Sequence, residues 1–181
     1  LREITKTKIL SDDTEFIREK TYYPVLCLIQ ISVDNNVYIF DCLNNKENLE
    51  DLKHIFSNKK YVKIFHDADQ DIEIINDFFS IESKNYFDTQ LANAFIDLEL
   101  HISYKNLVKK YLNIDIDKEL QTSNWVKRPL SKKQIKYAAN DVLYLEKIYH
   151  KISKELFDQK KSTWYKEELE KRIKDNNFKK E

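Results

Sequence analysis

Carboxylates are the residues of this chain with the most chemistry to offer, and spacing separates a few of them from the rest. Asp-x-Glu occurs four times: Asp13/Glu15, Asp71/Glu73, Asp97/Glu99 and Asp117/Glu119. The first pair lies in the strand-like run Lys8 to Phe16, where a period of two sends both side chains to one sheet face. The other pairs fall in helical or loop patterns, where positions i and i+2 diverge. Neighbouring carboxylates repel, and burying them is costly unless a cation joins them. Asp13 and Glu15 therefore read as a metal claw. Tyr-x-x-x-Asp occurs twice, as Tyr111/Asp115 and Tyr137/Asp141. The first sits at a helix end. The second shares one helix face, and the intervening Ala138 and Ala139 allow close approach. Asp71 opens a helix after the strand that ends at His66, at the strand edge where α/β sheets build their sites. Each acid alone reads as a surface charge or a helix cap. Asp13, Glu15, Asp71, Tyr137 and Asp141 together read as one cleft.

The elements that must position them follow from periodicity. Strands are expected at Lys8 to Phe16, Val25 to Val33, Val37 to Asp41, Tyr61 to Phe65 and Tyr86-Phe87. Asp34-Asn35-Asn36 reads as a hairpin turn. Helices are expected over Glu47 to Phe56, Asp69 to Phe79, Asp88 (as cap) to Ile96, Tyr104 to Leu112, Lys132 to Leu156 and Ser162 to Lys174. This order is α/β, with a mixed sheet of about five strands flanked by helices. Residues 1–181 are expected to form a single domain with a helical cover from about residue 155.

Composition narrows the class. Apolar residues make up 41% and charged residues 34%, a globular balance. Thirty-one basic residues against 31 acidic ones give zero formal charge, which argues against a generic nucleic-acid coat. Cys27 and Cys42 have no metal-like spacing and read as buried strand thiols of a reducing compartment. No apolar run has membrane-spanning length and no signal peptide is visible, so a cytoplasmic location is expected, an organelle being the alternative. The sequence contains no glycine, so tight turns must use Asn, Asp, Ser or Lys.

The motifs, taken in order, resemble the ribonuclease D-like 3′→5′ exonucleases of the type with Asp-Glu-Asp-Asp plus tyrosine. The resemblance is carried by Asp13-Thr14-Glu15-Phe16-Ile17-Arg18, Thr21-Tyr22-Tyr23-Pro24, Leu28-Ile29-Gln30 and Phe65-His66-Asp67-Ala68-Asp69-Gln70-Asp71. It continues through Phe87-Asp88-Thr89-Gln90-Leu91, the stretch Asp117 to Trp125, Arg128-Pro129-Leu130 and Tyr137-Ala138-Ala139-Asn140-Asp141. It covers nearly the whole chain and implies a ribonuclease H-like fold; no additional RNA-binding domain, of the kind that follows the nuclease domain in longer members, is expected. Three positions depart from it: Asp12 where the family has an apolar residue, Ala68 for a frequent glycine, and Asn124 for a frequent acid before Trp125. Asp12 implies a buried charge or a shifted strand end.

The resemblance implies a two-metal phosphodiester hydrolase, and its hard oxygen ligands suit Mg²⁺ or Mn²⁺. Asp13, Glu15 and Asp141 would hold one ion, Asp13 would bridge to a second, Asp71 would act through bound waters, and Tyr137 would orient the attacking water. Lys118, Gln121, Arg128, Thr14 and His66 are the expected substrate contacts. Ser103 to Lys136 carries nine basic residues against three acids, a patch suited to phosphates. Trp125 reads as a buried anchor before a base-stacking platform, and His66 as a packed residue at a strand end and not a catalyst. The expected substrate is a single-stranded RNA 3′ end, from a tRNA or other structured precursor, giving 5′-mononucleotides. A DNA exonuclease of repair and a catalytically degenerate nucleic-acid-binding module are the alternatives. The sequence identifies no protein partner.

Overall fold

The computed structural model describes residues 4–18, 24–44, 49–116 and 123–178. After a short 3-10 turn (Ile4–Lys6), β1 (Ile9–Ile17), β2 (Val25–Val33) and β3 (Asn36–Asp41) form an antiparallel meander. Helix α1 (Glu50–Ser57) leads to β4 (Val62–Phe65), which pairs parallel to β1. Helix α2 (Asp69–Phe79) then leads to β5 (Tyr86–Asp88), parallel to β4. The sheet order is β3-β2-β1-β4-β5. The remaining described elements are helices: α3 (Thr89–Asp97), α4 (Tyr104–Leu112), α5 (Lys132–Leu143), α6 (Leu145–Asp158) and α7 (Ser162–Phe178). No described helix is long and apolar enough to cross a membrane.

Eight of the nine β2 residues are buried, because helices cover both of its faces. On one face, Leu10, Ile29, Ile31 and Phe65 pack with Leu52, Ile55 and Phe56 of α1 and Ile72 and Ile75 of α2. On the other, Leu28 packs with Trp125 and with Ala138 of α5. The absence of glycine is met largely as the composition implies. Asp34 and Asn35 both take positive φ in a two-residue hairpin turn. Ser80 and Asn113 cap α2 and α4 in the left-handed region. Leu98, the left-handed cap of α3, is the exception, and there the side chain bears the steric cost itself.

Most expected elements recur within a residue or two. The last helix runs four residues beyond its expected end, and the expected helix start at Glu47 lies outside the described residues. The difference that bears on the site is the run Lys132 to Leu156, which is two helices separated at Tyr144. The break coincides with a contact from α4. The Tyr104 hydroxyl donates to Asn140 O at 2.9 Å and accepts from Tyr144 N at 3.4 Å. Those two backbone groups would otherwise bond each other as the i→i−4 pair of a continuous helix, so the phenol is inserted into the ladder.

Asp12 resolves as a buried acid. β1 runs through it in regular register opposite Ile31, it is 0% exposed, and both carboxylate oxygens lack a hydrogen-bond partner. Burial pushes its carboxyl well above the usual range, partly opposed by the Lys63 ammonium. Lys63 is itself buried and donates to Asn58 O and Tyr61 O, each at 3.0 Å.

Candidate active site

β1 delivers Asp13 and Glu15 to the sheet face covered by α5, as their alternation predicts, and a register shift follows directly after Glu15. α5 delivers Tyr137 and Asp141 from above. Its start is fixed by a capping box in which the Ser131 hydroxyl accepts from Gln134 N and the Gln134 side chain accepts from Ser131 N. Its approach is close because Ala138 is fully buried against the sheet. Ligand oxygens of Asp13, Glu15 and Asp141 come within 4.8 Å of one another. They line a cleft of about 210 Å³ with Thr14, His66, Tyr104, Tyr137 and Leu145. A roomier groove of about 690 Å³ is lined by Phe95, Leu98, Leu100 and Trp164, but it holds no metal-capable triplet among the described residues. Size therefore does not select the site.

Asp71 stands outside the triplet, at the first turn of α2, where the Thr14 hydroxyl donates to its Oδ1. Its place depends on a second acid. Asp88 accepts from Asp67 N and Ala68 N at 3.1 Å and from Gln90 N and Leu91 N at 2.8 and 3.2 Å. Asp88 is thus the expected cap of α3, and it also fastens the left-handed turn at Asp67 that launches α2. Only the cap was visible in the sequence. Tyr165 OH of α7 accepts from Asp88 N at 2.9 Å and completes the brace.

Electrostatics follow from this crowding. Burial, then repulsion by Asp71, Asp141 and Glu15, raises the Asp13 carboxyl well above the usual range. Burial, then Asp141 and Asp71, pushes Glu15 up to about 9. Asp71 and Asp141 rise to about 7, each mainly by burial, with hydrogen bonds from Thr14 and Tyr137 respectively easing the shift. Burial and Asp141 raise the Tyr137 phenol, so it stays protonated and serves as a donor. Four crowded acids, Asp71 buried and the other three half-buried and converging with oxygen donors only, fit a hard divalent cation.

The remaining expected contacts divide. His66 Nε2 donates to Ile102 O and Nδ1 faces the Thr89 hydroxyl, both at 3.0 Å, while burial lowers its pKa to about 4. It is a neutral, packed wall of the cleft. Arg128 turns toward protein. Nε and one terminal nitrogen grip Asp41 at 2.7 and 2.8 Å, and the other donors reach Trp125 O, Lys127 O and Cys27 O. Trp125 is buried, with its ring 6.0 Å from that of Tyr137. Lys118 and Gln121 lie outside the described residues, as does Thr21-Tyr22-Tyr23. Tyr104 was missed as a site residue. Its position at the start of α4 carries no local signal for a partner 36 residues away.

Acids at the end of the first strand of a sheet that starts antiparallel and continues parallel, facing a helix with a tyrosine and a fourth acid, define a ribonuclease H-like nuclease architecture. A family model for the 3′-5′ exonuclease domain matches residues 1–157, and the chain belongs to that family. It is 36% identical over 169 residues to ribonuclease D of Bartonella henselae, a match covering 93% of this chain and 42% of that protein. The crystal structure of Escherichia coli RNase D superposes with a TM-score of 0.90 at 27% identity, over 97% of this chain and 46% of that one. The catalytic core of RRP6 from Trypanosoma brucei gives 0.86 at 25% identity, over 94% and 47%. The chain therefore spans less than half the length of each of these relatives.

Proposed function

We propose that this chain is a 3′→5′ exoribonuclease that uses two ions of Mg²⁺ or Mn²⁺ to release 5′-mononucleotides from the 3′ ends of single-stranded RNA. The convergence of Asp13, Glu15 and Asp141 beside Tyr137 carries the reading. A divalent cation in such a site supplies a nucleophilic water at neutral pH and neutralises charge building on the phosphate. Asp13, Glu15 and Asp141 would hold it, and Asp71, steadied by Thr14, adds the fourth negative charge. Tyr137 keeps its proton and donates, so it orients a water and does not deprotonate one. His66, neutral and locked by Ile102, shapes the cleft without exchanging protons. Thr14 and His66 line the place where the terminal nucleotide would sit, with Lys118 and Gln121 as further contacts. Arg128 contributes indirectly, by holding the loop that carries Trp125. Preference for RNA is supported by the ribonuclease D relatives, the E. coli one being an exoribonuclease involved in structured RNA processing.

The test is a gel time course with 5′-labelled single-stranded RNA and the matching DNA, each with Mg²⁺, Mn²⁺ or EDTA. A ladder shortening from the 3′ end, faster on RNA and absent in EDTA, is the expected result. Equal or faster loss of DNA would move the substrate assignment to repair. Retention of RNA on a filter without shortening would make the chain a binding module.

A further inference from the structure

The phenol that splits α5 from α6 enters the helix beside a metal-ligand candidate. Asn140, whose carbonyl Tyr104 captures, directly precedes Asp141. Tyr144, whose amide donates to the same hydroxyl at 3.4 Å and also to Val142 O, is the pivot between the two helices, at φ −104° and ψ −10°. On the near side of the pivot, Ala138 and Val142 are buried; on the far side Leu145, Ile148 and Ile152 are buried as well. Each half is thus anchored separately, and Asp141 lies in the last turn before the break. The wedge is itself braced, because the Tyr104 ring packs on His66 with centroids 5.7 Å apart and both line the carboxylate cleft. A side chain that replaces one rung of a helix changes the direction of the turn around it.

We propose that Tyr104 is a positioning residue: by holding the Asn140–Tyr144 rung open, its hydroxyl aims the Asp141 carboxylate at Asp13 and Glu15. The inference rests on the reading of that triplet as the metal site. Without the hydroxyl, Tyr144 N bonds Asn140 O, the two helices run on as one, and Asp141 turns away from its partners. Outer groups that orient metal ligands are worth about 10–100-fold in affinity or activity when removed.

The experiment compares wild type with Tyr104→Phe, which deletes one oxygen and leaves the ring on His66. Mn²⁺ binding is followed by calorimetry and exchange of the Tyr144 amide by NMR in metal-free protein. The expected results are about 10-fold weaker Mn²⁺ binding and slower Tyr144 exchange as the helical rung closes, with kcat reduced and KM for RNA little changed. Equal Mn²⁺ affinity in the two proteins overturns the positioning role while leaving the metal site intact. Unchanged or faster Tyr144 exchange overturns the wedge. A wild type that binds no Mn²⁺ overturns the metal reading and this inference with it.

Discussion

Glu15, together with the other raised acids of the cleft, makes the metal-free protein lose stability as pH rises above neutrality. Its folded pKa is about 9, raised by burial and by Asp141 and Asp71, against an ordinary 4.5 when unfolded. An acid whose folded pKa is raised leaves stability complete below the unfolded pKa and removes it as pH climbs through the folded value. Between pH 6.5 and 8 the folded group keeps a proton that the unfolded chain has lost, at about 1.4 kcal/mol per pH unit. Glu15 alone therefore costs about 2 kcal/mol across the window, or about 4–8 °C in Tm for a chain of this size. Asp71 and Asp141, at about 7, deepen the loss, mostly in the lower half of the window, and the raised Asp12 and Asp13 act in the same direction. His66, held near 4, is neutral in both states above pH 6.5, and Lys63, lowered to about 8 by burial, acts only at the upper end and with opposite sign. The assay is thermal unfolding followed by circular dichroism at pH 6.5 and 8, in EDTA and in saturating Mg²⁺. Tm should fall with pH in EDTA and stay level with Mg²⁺, because the cation keeps Glu15 ionised in the folded state. Glu15→Gln should fall less steeply than wild type in EDTA, because Asp71 and Asp141 still titrate there, and stay level with Mg²⁺. A flat wild type in EDTA, or the same slope with Mg²⁺, would refute the electrostatic account of the cleft.

Asp13→Asn should abolish hydrolysis with the circular dichroism spectrum unchanged; metal-dependent cleavage surviving in that variant would sink the site assignment. Thr14→Val leaves Asp71 without its hydroxyl donor, and metal-dependent activity should fall about 10-fold while Tm stays close to wild type. Activity equal to wild type would mean that Asp71 needs no such support. Arg128→Lys keeps the charge but loses the fork on Asp41, so a urea titration should show about 1–3 kcal/mol less stability. A midpoint within error of wild type would make that fork a surface contact of no consequence.

What the chain wrote locally was readable without coordinates. Strand alternation placed Asp13 and Glu15 on one face, and spacing in an alanine-rich helix did the same for Tyr137 and Asp141. Turn chemistry without glycine led to Asp34 and Asn35, because only short polar side chains take the left-handed region cheaply. Tertiary structure decided the rest. Arg128 could be read as a phosphate contact until the fold brought Asp41, 87 residues away, against its guanidinium. Asp12 was ambiguous until helices closed over its strand face, and Asp88 was only a cap until the turn at Asp67 folded onto it. A continuous helix from Lys132 satisfied every local rule; the structure breaks it beside Asp141, where a hydroxyl from another helix meets the backbone. Periodicity and turn preference act within a few residues of chain, whereas the partner of a buried polar group is chosen by packing, which no local pattern records.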